Sequence, residues 1–230
     1  MVDRPYTLLS CGMSIDGYLD DAAQDRLMLS NDADFDRVDE VRAGCDAILV
    51  GSNTIRQDDP RLMIRSAERQ QARVTRGEAP HPLKVTVTGS CGIDPAARFF
   101  ALGDVEKLVY CASAAVGSAR DRLGEVATIV DGGDPVDLAF VMTDLAARGV
   151  RRLMVEGGGS MHTQFLTAGL ADELQLVVAP FFVGDSRAPR FVSDGDFPWG
   201  PGHRARLAGV RQIGDVVLLR YALSDRFQDE

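Results

Sequence analysis

Short apolar runs recur along the chain, and each gives way to Gly, Ser, Thr, Asp or Pro. Runs of this kind, near-continuous in Ile, Leu and Val, are typical of strands buried on both faces of a parallel sheet. They predict strands at Tyr6–Cys11, Asp46–Gly51, Lys107–Cys111, Val126–Val130, Leu153–Val155, Glu173–Pro180 and Val216–Leu219, and the alternation of Leu83–Thr88, rich in Val and Thr, predicts another. Between them the apolar spacing turns helical. One helix is expected from a cap at Asn31 or Asp32 to a stop at Gly44, with Phe35, Val38 and Val41 turned inward. Ser52-Asn53-Thr54 opens a short helical segment that ends before Pro60, since proline disfavours helix in the residue ahead of it. Leu138, Val141, Met142 and Leu145 mark a helix from about Asp137 to Arg148, and Met161, Phe165, Leu166 and Leu170 mark another. Ser66–Pro82 is polar without an apolar period and reads as a long surface loop. Phe181–Gly202, with Pro189, Pro198 and Pro201, reads as irregular. Alternating strands and helices predict an α/β fold with a mostly parallel sheet covered on both faces. The hairpin-like approach to the last strand adds an antiparallel C-terminal edge. No shift in composition marks a boundary, so residues 1–230 are expected to form one domain.

One stretch stands out. The run Leu153-Met154-Val155 ends on Glu156, three glycines follow, and a helix begins near Ser160. Glycine permits positive φ and close approach of a ligand. A helix N-terminus adds unpaired N–H groups and the positive end of the dipole, which together favour an anion. Ser160 is a candidate cap or hydroxyl donor. Glu156 lies at the carboxyl end of a strand, where α/β sheets place ligand contacts. A plain strand-to-helix turn is the alternative, although such a turn needs only one or two glycines.

Composition narrows the partners. A net charge of −9 and pI near 4.9 leave no basic excess to neutralise a nucleic acid or an anionic membrane. Hydrophobic residues make up 45% of the chain, enough for a sizeable core. Cys11, Cys45, Cys91 and Cys111 show no CxxC spacing, so reduced thiols in a cytoplasmic protein are expected and no metal site. No H-x-E…P-C-x-x-C deaminase signature occurs. The N-terminus does not read as a signal peptide, and no run reaches the ~18 apolar residues of a membrane span.

Other strand ends carry candidate chemistry. Gly12-Met13-Ser14-Ile15-Asp16-Gly17 follows the first strand and is either a binding loop or a hairpin turn. Arg56, Arg61 and Arg65 make a positive cluster suited to a phosphate or simply to solvent. Arg42, in the last turn of its helix, either complements the dipole or reaches a ligand.

Three segments together resemble the reductase domain of bacterial riboflavin biosynthesis, the C-terminal half of a bifunctional deaminase–reductase with a dihydrofolate reductase-like fold. They are Ser14-Ile15-Asp16-Gly17; Val41-Arg42-Ala43 with Asp46–Gly51, Thr54 and Asp58-Asp59-Pro60-Arg61-Leu62; and Val155-Glu156-Gly157-Gly158 with Ala168–Leu174. The match runs from about residue 6 to 222. It implies a three-layer αβα architecture and hydride transfer from NADPH to the ribose C1′ of a phosphorylated ribosylamino-pyrimidine, giving the ribitylamino product. Carried over, Gly12, Met13, Thr54, Asp58, Ser90 and the turn Gly158, Gly159, Ser160, Met161, His162, Thr163 and Gln164 would bind the cofactor. Arg42, Leu62, Arg65 and Glu156 would bind substrate. Asp58 and Glu156 are the candidate catalytic groups; no general acid stands out. The resemblance also implies a homodimer, with the last strand and Phe181-Phe182-Val183 as possible interface, although core is the expectation for both. Ser113, Ser118, Arg120 and Arg122 are candidates for a 2′-phosphate.

The chain departs from the family in two ways. Arg26-Leu27-Met28 stands where the bacterial enzymes commonly have Ser-x-Trp, and a protein without the deaminase half is expected. A stand-alone reductase, as in archaeal and fungal pathways, or a paralogue acting on a pterin or folate is therefore expected. A nucleotide-binding module without catalysis is the reading from another class.

Overall fold

The first strand, β1 (Tyr6–Ser14), runs three residues beyond its apolar core before the chain turns. The computed structural model describes residues 4–21 and 27–229. Among these residues two compact units emerge, one formed by 4–5 with 39–154, the other by 6–21 and 27–38 with 155–229.

In the first unit, β2 (Ala47–Gly51), β3 (Leu83–Thr88), β4 (Lys107–Cys111) and β5 (Thr128–Asp131) pair in parallel and in sequence order. The next strand, β6 (Arg152–Val155), lies on the other side of β2, giving the order β5-β4-β3-β2-β6. The strand order thus reverses at β2, and in open α/β sheets ligands gather at the carboxyl ends of strands at such a reversal. Both faces are covered, so the apolar runs of β2 and β4 are enclosed (Ile48, Leu49, Leu108 and Val109), and so are Lys84, Val85 and Thr86 of the alternating β3. The second unit is mixed. Here β1 pairs in parallel with β7 (Glu173–Ala179), which pairs antiparallel with β9 (Val216–Ala222), itself antiparallel to β8 (Arg206–Ile213). The expected antiparallel edge is present, built from one strand more than the apolar pattern revealed. Strand β8 escaped because Arg206, Leu207, Val210, Arg211 and Gln212 are all exposed, so it carries no buried alternation.

Helix α1 (Asp32–Ala43) has the expected span, with Asn31 accepting from the Asp34 amide at 3.1 Å as its cap. Its buried positions are not the expected ones. Asp34, Arg37 and Asp39 are enclosed, at 3%, 7% and 2% exposure, whereas Phe35, Val38 and Val41 are half-buried. The polar groups are buried because each finds a partner: Arg37 bonds Asp34 at 2.6 Å and Gln175 at 2.7 Å.

The polar tract Ser66–Pro82 is not a plain loop. It contains α3 (Ala67–Thr75), capped by Ser66, whose hydroxyl accepts from the Arg69 amide. Its composition of Ala, Glu, Gln and Arg favours helix. No apolar period appears because its buried anchor is Arg73, which donates to the carbonyls of Ala43, Cys45 and Ala79. The remaining helices are α2 (Ser52–Asp58), α4 (Arg98–Ala101), α5 (Val116–Leu123), α6 (Leu138–Ala147) and α7 (Gly159–Thr167). Of these, α4 and α5 were not foreseen. The four cysteines are free thiols, three buried and Cys11 half-buried.

Candidate active site

In the first unit, β2 ends at Gly51 and α2 starts at once. Thr54 and Asp58 stand four residues apart on α2, hence on one face, and both are half-buried. The helix stops at Asp59, which adopts the left-handed conformation (φ 41°) while its carboxylate accepts from the Arg98 amide at 2.6 Å. Leu62 is left-handed as well (φ 46°) and only 2% exposed. Such a conformation is unfavourable for a residue with a β-carbon and tends to occur where surroundings impose it, often near functional sites. The loop that follows is held by side chains. Arg42 donates to the Met63 carbonyl at 3.3 Å, and the Ile64 amide donates to His81 Nδ1 at 3.3 Å. Gln70 donates to the Ile64 carbonyl at 2.9 Å. The amides of Arg65 and Ser66 both donate to Asp39, at 2.6 and 3.1 Å. Burial pushes the Asp39 carboxyl up, but those two amides and the Arg69 guanidinium outweigh it and hold the group below its ordinary range. Arg65 ends up with 52% of its side chain exposed and its Nε 3.7 Å from Asp39.

The arginine cluster separates into different contacts. Arg56 reaches the Gly92 carbonyl and Asn53, while Arg61 is exposed. Ser90 is exposed in the turn after β3, beside Cys91, another left-handed residue (φ 50°) whose amide donates to Thr88 Oγ1. Of the four 2′-phosphate candidates, Ser113 donates to Asp131, Ser118 to the Ala115 carbonyl, and Arg122 to the Ile93 carbonyl. The Ser113 hydroxyl helps keep Asp131 ionised, and a carboxylate there disfavours a phosphate.

In the second unit, Gly12 and Met13 lie within β1, opposite Val177 and Val178 of β7. A β-carbon at Gly12 would come within 3.3 Å of Leu29, so close packing already favours glycine there. Asp16 is a clamp. It accepts from Ser14 Oγ (2.6 Å) and from the amides of Val183 (3.1 Å) and Gly184 (2.8 Å). The Ser14 hydrogen bond, with help from those amides, holds its carboxyl at about 2. The loop after β1 is thereby tied to the loop after β7. Phe182, on that second loop, is 69% exposed rather than part of the core, while Val216 and Leu218 of β9 are buried. Of the departing element, Arg26 lies outside the described residues; the Leu27 amide donates to Asp20 at 2.9 Å and Met28 is 58% exposed.

Glu156 is half-buried at the end of β6. Gly158 takes φ 68° as the cap of α7 and supplies no side-chain partner. The amides of Met161 and His162 close on the Gly158 carbonyl, so Gly159 and Ser160 carry the N–H groups that a helix start leaves without an intrahelical acceptor. Ser160 is therefore not the cap; its exposed hydroxyl accepts from Gln164 at 3.0 Å. A glycine cap and two such amides match an anionic group such as a pyrophosphate. The third glycine has a different cause. A β-carbon on Gly159 would stand 2.2 Å from the Arg190 carbonyl oxygen, because the segment around Arg190 crosses the helix at that point. That segment is fastened by Leu19 N to Pro189 O (2.8 Å), Phe191 N to Gly17 O (3.0 Å) and Ser193 N to Thr163 Oγ1 (2.9 Å). Arg190 stacks on Tyr18 and bonds its hydroxyl at 2.8 Å. Sequence reading saw only an irregular stretch here; its prolines and polar residues carry no period to reveal it.

Met161 and His162 face inward. His162 is fully enclosed beside the Phe191 ring (5.4 Å between centroids), and neither ring nitrogen has a hydrogen-bond partner among the described residues. Burial pushes its pKa down to about 4, so it is neutral at physiological pH. Thr163 uses its hydroxyl within the protein, and Gln164 is exposed.

Residues 5–219 match the RibD C-terminal domain model. Over 97% of this chain and 99% of its own length, the 2,5-diamino-6-ribosylamino-4(3H)-pyrimidinone 5′-phosphate reductase of Archaeoglobus fulgidus is 36% identical. The protein of the same name from Methanothermobacter thermautotrophicus is 34% identical over 94% of this chain and 90% of its own. Among solved structures, a pyrimidine reductase-like protein from Corynebacterium diphtheriae superposes with TM-score 0.81 at 21% identity, covering 95% of this chain and 91% of that one. A riboflavin biosynthesis reductase from Saccharomyces gives 0.67 at 17% identity, covering 96% and 90%. These structural matches carry the fold, α/β of the pyrimidine reductase type with dihydrofolate reductase-like topology. The sequence matches carry the lineage: this chain belongs to the RibD C-terminal domain family.

Proposed function

We propose that the chain is a reductase of 2,5-diamino-6-ribosylamino-4(3H)-pyrimidinone 5′-phosphate, using NADPH. The observation that carries this is near end-to-end similarity to two reductases named for that compound. It narrows the substrate class expected from sequence to a pyrimidine that still holds its 2-amino group. Residues 1–230 act as a single reductase domain in this reading.

Bound NADPH supplies the hydride that reduces C1′. The protein's share is binding, orientation and charge. The glycine-capped start of α7 suits the cofactor pyrophosphate, held by the amides of Gly159 and Ser160. In this reading Gly12, Met13, Thr54, Asp58 and Ser90 line the cofactor, with Thr163 and Gln164 along the helix. Met161 and His162 support the turn from below, since both are buried. Arg65 binds the substrate phosphate as a half-exposed guanidinium on a rigidly held loop. Leu62, only 2% exposed, supports the substrate side from within the protein, and Arg42 supports the Arg65 loop through Met63. Glu156 holds the sugar hydroxyls or a ring amine. As the ring opens, a proton must reach the departing ring oxygen, and Asp58 is the candidate to relay it.

A homodimer in the cytoplasm completes the reading. Exposed Phe182, Leu207 and Val210 favour a covered surface in the second unit. Among the described residues no helix is long and apolar enough to cross a membrane.

Titration with NADPH and with NADH, followed by nicotinamide fluorescence, tests the cofactor; turnover of the ribosylamino-pyrimidine phosphate against dihydrofolate tests the substrate. Tighter NADPH binding and turnover of the pyrimidine alone are expected. Binding of neither nucleotide would sink the proposal, and turnover of dihydrofolate instead would move the substrate to the folates.

A further inference from the structure

Arg65 sits on a loop whose backbone is secured largely by side chains, and Asp39 bears the most bonds. It is 2% exposed, in the last half of α1, and its two oxygens divide the work. Oδ1 accepts the Arg65 amide at 2.6 Å and lies 3.7 Å from Arg65 Nε. Oδ2 accepts the Ser66 amide at 3.1 Å and an Arg69 guanidinium nitrogen at 3.1 Å. We propose that Asp39 is a positioning residue for substrate binding: it fixes the backbone and guanidinium of Arg65 in the pose that takes the substrate phosphate. The inference rests on the reading of Arg65 given under Proposed function.

The chemistry argues for a specific device rather than general packing. Two successive amides converging on one buried carboxylate restrict the direction of the chain at Arg65 and Ser66. Charge-assisted hydrogen bonds of this kind are roughly twice as strong as neutral ones. The ion pair through Nε, at 3.7 Å, adds to the two amide bonds in keeping the Arg65 side chain near Asp39. Ser66 also caps α3, so the same carboxylate secures the start of the helix that carries Arg69. Loss of Asp39 therefore frees Arg65 to adopt many orientations, and phosphate affinity falls without any change at the reacting carbon.

Steady-state kinetics on Asp39→Ala, Asp39→Asn, Arg65→Ala and the double variant Asp39→Ala/Arg65→Ala test this, with amide hydrogen exchange as a second readout. Asp39→Ala is expected to raise KM for the ribosylamino-pyrimidine phosphate by about tenfold or more, the range of a lost charged hydrogen bond. Its kcat and NADPH affinity should stay within about twofold. Asp39→Asn keeps the volume and one acceptor oxygen and should show a smaller rise; it carries the decision if the alanine variant does not fold. The double variant should be no worse than Arg65→Ala, because both changes remove the same contact. Exchange at the Arg65 and Ser66 amides should speed up in Asp39→Ala while Val85 and Val87 of β3 stay protected. Additive losses in KM, or unchanged exchange at Arg65 and Ser66, overturn the inference. A raised KM in Arg65→Ala with none in either Asp39 variant overturns it alone. An unchanged KM in Arg65→Ala removes the phosphate role of Arg65 and overturns both readings.

Discussion

Gly159→Ala should destabilise this protein, although the same change in most helices stabilises it. In the first turn of a helix, replacing glycine by alanine ordinarily gains about 1 kcal/mol, since alanine loses less backbone entropy. Here the added carbon would lie 2.2 Å from the Arg190 carbonyl oxygen and 3.4 Å from the Phe191 oxygen. Neither neighbour is the end of a flexible side chain. Relief requires the backbone around Arg190 to withdraw by roughly 1 Å, the difference from an ordinary carbon–oxygen contact near 3.3 Å. That movement strains the bonds that fasten the segment, Phe191 N to Gly17 O and Ser193 N to Thr163 Oγ1. Losing both costs about 1–3 kcal/mol, with overpacking adding a comparable amount. The loss exceeds the gain, and a net destabilisation of about 3 kcal/mol is expected. Urea unfolding monitored by Trp199 fluorescence and by circular dichroism gives the value. A variant as stable as the parent, or more stable, would show that the segment yields freely and that the third glycine serves something other than this crossing. In that case its place would revert to ligand approach, and NADPH affinity rather than stability would be the property lost.

His162 and Ser66 give further expectations. His162 has a folded pKa of about 4 against an ordinary 6.5, so the unfolded chain binds a proton that the folded one refuses. Its contribution is complete above pH 6.5 and is lost as the pH falls from 6.5 toward 4, amounting to roughly 3 kcal/mol. His162→Leu should flatten that stretch of the stability–pH curve; an unchanged slope between pH 4 and 6.5 would refute the assignment. Ser66→Ala removes the cap of α3 and should cost about 1 kcal/mol in chemical denaturation. A change below a few tenths would mean that Asp39 alone suffices to start that helix.

How much the sequence by itself determined follows from where its signals came from. The apolar run Leu108–Cys111 in β4 and the Val/Thr alternation of β3 marked both strands to the residue, because short apolar runs and period-two alternation of β-branched residues are strand patterns. The glycine turn announced a helix start suited to an anion, because positive φ at Gly158 is a local backbone requirement. The family could be recognised from motifs of the same local kind. What tertiary structure alone decided is polar and non-local. Helix α1 buries Arg37 and Asp39, and α3 buries Arg73, contrary to the apolar rule; each burial is favourable only because a partner distant in sequence satisfies it. The crossing at Arg190 gives Gly159 its reason, and two amides from a loop give Asp39 its own. A charged residue looks the same in sequence whether it faces water or holds a loop in place, because the difference lies in groups that only folding brings within hydrogen-bonding distance.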